Sequence, residues 1–396
     1  MDSEDILNNK ENKNFVFFIL IVAFMVRLVY VFTLKQNVLY FGDSEQWNQI
    51  VLNFLSGKGL IVDETTQASR MPLYSLFLSS VYFIFGKVNL LAVRIIQSLI
   101  SALTCVIVYF TAISVFRDNK DNKKIGKIAA IISVFYPFFI YYSGAILNET
   151  LFIFLISLVI LFLTEKKFFI AGIILGLSIL CKAETFLFFL FVIGTFFVTS
   201  PKKALKISLI ITAMVVMVLS PWIARNYTKF NRFVPFSTTG SVTFWEGNNP
   251  QNFNGGPCHY FPNMTGMNEI ERDTYLKKET MKVIKENPKR FFILSRLKFK
   301  RFWNIKLNTD DVRYASPRNN LISMFTFGPV LFLFIPGLLL SLGYRKNFVF
   351  IYGFIFCVML INLIFVSSLR YRLPIEPYLI IFASYSLNLL FLKGQK

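Results

Sequence analysis

The chain has 396 residues, of which 55% are hydrophobic and only 16% charged, with 47 Phe and a formal net charge of +20. A soluble domain of this length carries far more charge, and a membrane barrel shows short alternating segments; the long apolar runs here exclude both and point to an all-α polytopic membrane protein. One histidine and four scattered cysteines exclude a His-rich metal centre, a Ser-His-Asp triad and a disulfide framework, so the positive charge serves topology and lipid contact.

Ten spans are predicted, at roughly 15–34, 89–116, 126–143, 149–164, 168–181, 185–200, 205–221, 321–342, 348–368 and 374–392. The first follows a polar tail and lacks a small-residue cleavage site, so it reads as a retained span. The run Pro72 to Phe85 is too short to cross and is taken as an interfacial or re-entrant helix. This divides the chain into a core at 1–221 that includes a first outer loop at 35–88, a large outer loop at 222–320, and C-terminal helices at 321–396.

Basic residues crowd one set of short connectors: Arg117, Lys120, Lys123, Lys124 and Lys127, then Lys166 and Lys167, Lys202, Lys203 and Lys206, Arg345 and Lys346, and finally Lys393 and Lys396. The positive-inside rule therefore puts both termini in the cytoplasm and the functional face outside the plasma membrane. Long loops translocate regardless of charge, so the basic large loop does not alter this orientation.

The first loop carries Tyr40-Phe41-Gly42-Asp43-Ser44-Glu45-Gln46-Trp47, followed by apolar residues at Ile50, Val51, Phe54 and Leu55 in the spacing of an amphipathic helix. Asp43 reads either as the cap of that helix or as a site carboxylate. The helix stops at Gly57-Lys58-Gly59. Arg70, in Arg70-Met71-Pro72, either clamps a phosphate or snorkels to headgroups. Glu149 begins an apolar span, where a carboxylate also suits a helix N-terminus, and Lys182 and Glu184 share a corner and can pair with each other. Pro221-Trp222-Ile223-Ala224-Arg225 marks the exit into the large loop. That loop holds turns at Gly247-Asn248-Asn249-Pro250 and a basic amphipathic helix from Asn287 to Trp303, suited to an anionic membrane surface. Arg370 and Arg372 flank the start of the last span beside Glu376 and read as an anion site or as interfacial anchors.

The ordered set of Gly-Asp-Ser-Glu, Arg-Met-Pro-Leu-Tyr, Leu-Asn-Glu, Pro-Trp-Ile-Ala-Arg-Asn-Tyr, Gly-Asn-Asn-Pro and Arg-Tyr-Arg-Leu-Pro-Ile-Glu-Pro resembles the bacterial GT-C glycosyltransferases of the protein O-mannosyltransferase and lipid A aminoarabinose transferase group. The resemblance implies a GT-C fold and an enzyme that moves a sugar from a polyprenyl-phosphate donor to a hydroxyl acceptor (lipid, glycan or protein) with inversion. It implies that Asp43 acts as base, that Glu149 is the second acidic residue, and that Arg70 contacts the lipid phosphate. Glu45 is a supporting catalytic candidate, since Ser44 separates it from Asp43 where the family often has adjacent Asp-Glu. Lys58, Arg225, Arg370 and Arg372 are further candidates for the donor phosphate. No cofactor or metal is expected, and no nucleic acid. The alternative class is a transporter or flippase of lipid-linked or anionic solutes, for which Arg27 inside the first span is the most useful residue.

Overall fold

The computed structural model describes residues 10–308 and 316–393, and among them the regular structure is helical. Lys396, the side chain of Lys393 and residues 309–315 of the large loop lie outside the described residues. Helix α1 (Lys10–Phe32) leads into the first loop, which carries α2 (Gly42–Leu55) and α3 (Pro72–Phe85). The bundle continues with α4 (Leu90–Val115), α5 (Asn122–Val134), α6 (Pro137–Gly144), α7 (Glu149–Thr164), α8 (Phe168–Cys181), α9 (Thr185–Thr199) and α10 (Pro201–Phe230). The large loop holds α11 (Thr239–Asn248), α12 (Glu269–Glu286) and α13 (Pro288–Phe302). After it come α14 (Pro317–Leu340), α15 (Arg345–Ile364) and α16 (Glu376–Lys393), with 3-10 turns at Ser341–Tyr344 and Leu369–Ile375.

Each expected span has a helical counterpart, but not all reach across a bilayer. By length and composition, five helical stretches among the described residues suffice, or six with α5 and α6 taken together across their 49° bend; one stretch, Pro317–Ile364, contains both α14 and α15. Helices α7, α8 and α9 have 16, 14 and 15 residues. That is roughly 21–24 Å of helix at 1.5 Å per residue, short of a hydrocarbon core of about 30 Å. Neighbouring helices cover much of them. Gly172 and Gly176, one turn apart on α8, let α10 approach so closely that an added Cβ would meet the Met214 Cβ at 2.9 Å and the Val218 Cβ at 2.8 Å.

The expected exit at Pro221 is corrected: α10 runs on through it to Phe230 and stops at Asn231, whose φ of 49° is left-handed. Pro221 has no N–H for the carbonyl of Met217, and the Ser220 hydroxyl donates to that carbonyl at 2.9 Å instead. Arg225 thereby lies on a helix, not in a loop.

The basic connectors do meet at one end. Arg117 donates to the Thr164 carbonyl at 2.9 Å, and Asn347 donates to the Val115 carbonyl and to Asp118 at 3.2 Å. The acidic and arginine corners lie at the other end. Two buried arginines brace the bundle between them. Arg27 donates to Ser101 Oγ at 2.7 Å and to the carbonyls of Ala23, Val134 and Ser133, so it is buried against α4 and α5. Arg94 donates to the carbonyls of Gly144, Lys35, Gln36 and Val38, which pins the start of the first loop to α4 and α6.

Candidate active site

Three corners converge because short polar side chains tie their backbones together. Ser44, buried in the first turn of α2, donates to the Ile146 carbonyl at 2.8 Å, which brings that turn against the approach to Glu149. Asn148 donates to the Cys181 carbonyl at 3.0 Å, which joins the Glu149 corner to Lys182. The result is a charge cluster at the end of the bundle opposite the basic connectors.

Asp43 stands at its centre and does not cap α2; the cap position is Phe41, with no side-chain cap bond. Arg70 NH2 donates to Asp43 Oδ1 at 2.5 Å and Arg370 NH1 donates to Oδ2 at 2.7 Å. Burial pushes the Asp43 carboxyl up, but the guanidiniums of Arg370 and Arg70 outweigh that and hold it well below the usual carboxylate range. Arg70 is also held by Gln46 Oε1, at 3.1 Å from Nε and 2.7 Å from NH2, and lies over the Trp47 ring at 5.5 Å. Interfacial snorkelling is therefore not its role.

Arg370 bridges the two carboxylates. Its Nε donates to Glu149 Oε1 at 2.6 Å while NH1 holds Asp43. Glu149 is fully buried, and Lys182 donates to the same Oε1 at 3.2 Å, so Lys182 turns to Glu149 and not to its neighbour Glu184. Glu149 Oε2 is buried with no hydrogen-bond partner among the described residues. Arg370 is thus paired with Glu149 on one side and Asp43 on the other. Among the described residues, one nitrogen of each guanidinium, Nη1 of Arg70 and Nη2 of Arg370, makes no hydrogen bond, and both side chains stay about one-fifth exposed, at 18% and 19%.

Four expected site residues stand elsewhere. Glu45, one position from Ser44 on the same turn, points to solvent, and Lys58 is exposed at the helix stop. Arg225 donates to Asn226 Oδ1 at 2.8 Å and to the Leu60 carbonyl at 3.2 Å, propping the first loop on α10. Arg372 is fully buried, donating to Glu376 at 2.8 Å and to the carbonyls of Phe302 and Asn304 at 3.0 and 2.9 Å. The 3-10 turn Leu369–Ile375 explains the split: at three residues per turn, positions two apart face away from each other. Arg370 then enters the site while Arg372 locks the turn to the large loop.

Two outcomes follow. Removing Arg372 alone, as Arg372→Met, leaves Glu376 as an uncompensated buried charge and is expected to cost about 3–5 kcal/mol, which pairing it with Glu376→Gln recovers in a thermal melt. Glu45→Gln and Lys58→Ala are expected to leave activity within about twofold of the parent chain, because surface substitutions away from a site change little.

Sequence reasoning did not assign Lys182 or Gln46 to the cluster, nor Glu246 near it. Glu246, on α11, accepts from or donates to His259 Nδ1 at 2.6 Å, and the charges of Asp43 and Arg70 both act on it. Burial pushes its carboxyl up, opposed by His259. Beside the cluster lies a cavity of about 420 Å³, lined by Tyr30, Phe41, Tyr141, Ile322, Leu373 and Arg370, so an aromatic and apolar hollow opens onto the site guanidinium. Among the described residues no group of three or more His, Cys, Asp or Glu stands close enough to hold a metal ion.

Residues 69–224 match the family described as dolichyl-phosphate-mannose-protein mannosyltransferase. The structure is similar to that of ArnT from Cupriavidus metallidurans in the apo state, with a TM-score of 0.59 and 13% identity over 96% of this chain and 60% of that one. The same protein bound to undecaprenyl phosphate gives a TM-score of 0.56 and 13% identity over 94% and 59%. The oligosaccharyltransferase of Archaeoglobus fulgidus, AglB, in complex with an inhibitory peptide and a dolichol-phosphate, gives 0.55 and 14% over 97% and 51%. The chain thus spans about half the length of the archaeal enzyme and three-fifths of ArnT. No curated protein matches it in sequence. A helical bundle aligned over nearly its whole length with these proteins, in which residues 69–224 match the mannosyltransferase family, gives this chain the all-α polytopic membrane fold of the GT-C glycosyltransferases.

Proposed function

We propose that the chain is an inverting glycosyltransferase that moves a hexosyl or pentosyl group from a polyprenyl-phosphate donor to a hydroxyl of a lipid, glycan or protein, at the outer face of the cytoplasmic membrane. The observation that carries this reading is one carboxylate, Asp43, held between two arginines that each keep a free nitrogen, beside an aromatic cavity. A lipid phosphate fits such a pair, since charge-assisted bidentate bonds suit its oxygens. The aromatic and apolar part of the cavity lining suits the first isoprene units of the prenyl tail. The undecaprenyl phosphate and dolichol-phosphate held by the two similar proteins support the same donor class. The basic connectors at the opposite end support the outward orientation of the site.

The chemistry follows from the charges. An incoming phosphate competes with Asp43 for Arg70 and Arg370. As the guanidiniums turn to the phosphate, Asp43 loses the charges that hold its carboxyl down and becomes a competent base. It then takes the proton of the acceptor hydroxyl as that oxygen attacks the anomeric carbon. The bond from that carbon to the phosphate oxygen breaks, its electron pair leaves with the prenyl phosphate, and both arginines stabilise the growing charge. A single displacement inverts the anomeric centre and needs no carboxylate nucleophile.

The test is mass spectrometry of envelope lipids, glycans and proteins from cells with and without the gene, joined to transfer assays on the purified chain. Accumulation of a prenyl-phosphate sugar in the deleted strain, with loss of one glycosylated product, is the expected result. Solute movement without any sugar transfer would favour the transporter class instead.

A further inference from the structure

The segment that carries Arg70 is strapped on both edges by the large loop. Glu269, in the first turn of α12 and buried, accepts the Gln67 N–H at 2.5 Å and the Ala68 N–H at 3.0 Å. The same carboxylate accepts the Thr238 hydroxyl at 2.7 Å. On the other edge, the Thr238 N–H donates to the Ala68 carbonyl at 3.0 Å, and the Thr239 hydroxyl donates to the Ser69 carbonyl. Arg272, one turn along α12, donates to the Thr65 carbonyl at 2.6 Å. Asn268 fixes the start of α12 by a capping box with Glu271, which aims the Glu269 side chain back at the first loop.

This geometry has a consequence for Arg70. Its guanidinium is held by Asp43 and Gln46, both on α2, but the backbone just before it, at Thr65 and Gln67 to Ser69, is held by a loop more than 160 residues away in sequence. Thr66 is bridged to Asp63 within the first loop, but residues 67–71 lie in no helix or strand. A carboxylate with three donors in a buried setting is an over-determined anchor, and its loss leaves two backbone N–H groups without their partner.

We propose that Glu269 is a positioning residue for the donor phosphate: acting through the backbone of Gln67 and Ala68, it sets where Arg70 stands, so the large loop governs the affinity of the phosphate arm. The role of Arg70 as that arm rests on the transferase reading above; the strap itself does not. Because the loop also carries Glu246 beside the cluster, a displacement of the loop reaches both Arg70 and the rim of the site.

The test uses the full-length purified chain with Glu269→Ala and Glu269→Gln, each in the parent and in an Arg70→Ala background, and undecaprenyl phosphate as the probe. Loss of hydrogen bonds to a charged group predicts binding about tenfold weaker in Glu269→Ala and a smaller loss in Glu269→Gln, which keeps one accepting oxygen. In the Arg70→Ala background the Glu269 change is expected to move binding by less than about twofold, since coupled residues do not add. Equal losses in both backgrounds, or no loss in either, overturn the proposal. Hydrogen exchange at the Gln67 and Ala68 amides is read in parallel and needs no ligand. Faster exchange there in Glu269→Ala supports the strap; unchanged exchange overturns it. A parent chain that binds no undecaprenyl phosphate removes the transferase reading, and the exchange result still decides the strap. Glu269→Gln, the milder change, serves both arms if Glu269→Ala does not fold.

Discussion

Asp43→Asn is expected to lower sugar transfer by about 10²–10⁴-fold, the range that a positioned general base supplies, while the chain still folds and inserts. The amide keeps the size of the side chain and one accepting oxygen, but it cannot take a proton. Donor binding is expected to hold or tighten in this variant, because the phosphate no longer competes with a carboxylate for Arg70 and Arg370. Falling turnover with retained donor affinity separates loss of the base from loss of the binding site. The pH profile adds a second signature. In the donor-free protein both guanidiniums hold the Asp43 carboxyl low, so its ion pairs contribute stability above the ordinary Asp range and lose it only as pH falls through the depressed value. Donor binding draws the arginines away and raises that value. The acid limb of kcat, which reports the loaded enzyme, is therefore expected at higher pH than the limb of kcat/KM, which reports the free one. Transfer at the parent rate in Asp43→Asn would remove Asp43 from the role of base.

Arg370→Met is expected to combine a loss of transfer with a loss of stability, and the two can be pulled apart. Arg370 touches both carboxylates, and Glu149 on its far side is fully buried. Taking one partner from a buried pair costs about 3–5 kcal/mol, because the remaining charge has no compensation. Lys182 still neutralises Glu149, so the low end of that range applies. Glu149→Gln by itself would strand the buried Lys182, so the rescue adds Glu149→Gln together with Lys182→Met and is expected to restore the melting temperature. It is not expected to restore transfer, because the phosphate still lacks one of its two guanidiniums. Arg370→Lys keeps the charge but loses the planar fork that reaches Asp43 and Glu149 at once, so it is expected to recover stability better than activity. A rescued variant that regains both would make Arg370 a structural residue alone.

Much of this arrangement was legible in the residues. Long apolar runs marked the membrane helices, since the hydrocarbon thickness requires them. The basic connectors marked one end of the bundle, and the structure brings Arg117, Thr164 and Asn347 together there. Asp43, Arg70, Glu149 and Arg370 were legible as polar residues at the opposite corners of an apolar chain. What misled was local pattern. Glu45 shares the acidic motif with Asp43 but faces water, because neighbours two apart on a helix do not share a face. Pro221 looked like a helix end, and the Ser220 hydroxyl made it an ordinary helical position. Arg225 and Arg372 had the charge of a phosphate ligand, but Arg225 turns to Asn226 and the Leu60 carbonyl, and Arg372 is buried against Glu376 and two backbone carbonyls.

By itself, then, the sequence determined that this chain crosses a membrane as helices, and which corners hold charge at the end away from the basic connectors. Those properties depend on composition along short windows, where solvent and lipid act on each residue directly. Only the tertiary structure decided which charges meet. Arg370 reaches Asp43 across more than 320 positions, and Glu269 reaches Gln67 across about 200. Such pairs are set by the packing of helices and by single bonds such as Ser44 to Ile146, and the sign of a residue in the chain does not report its distance from another.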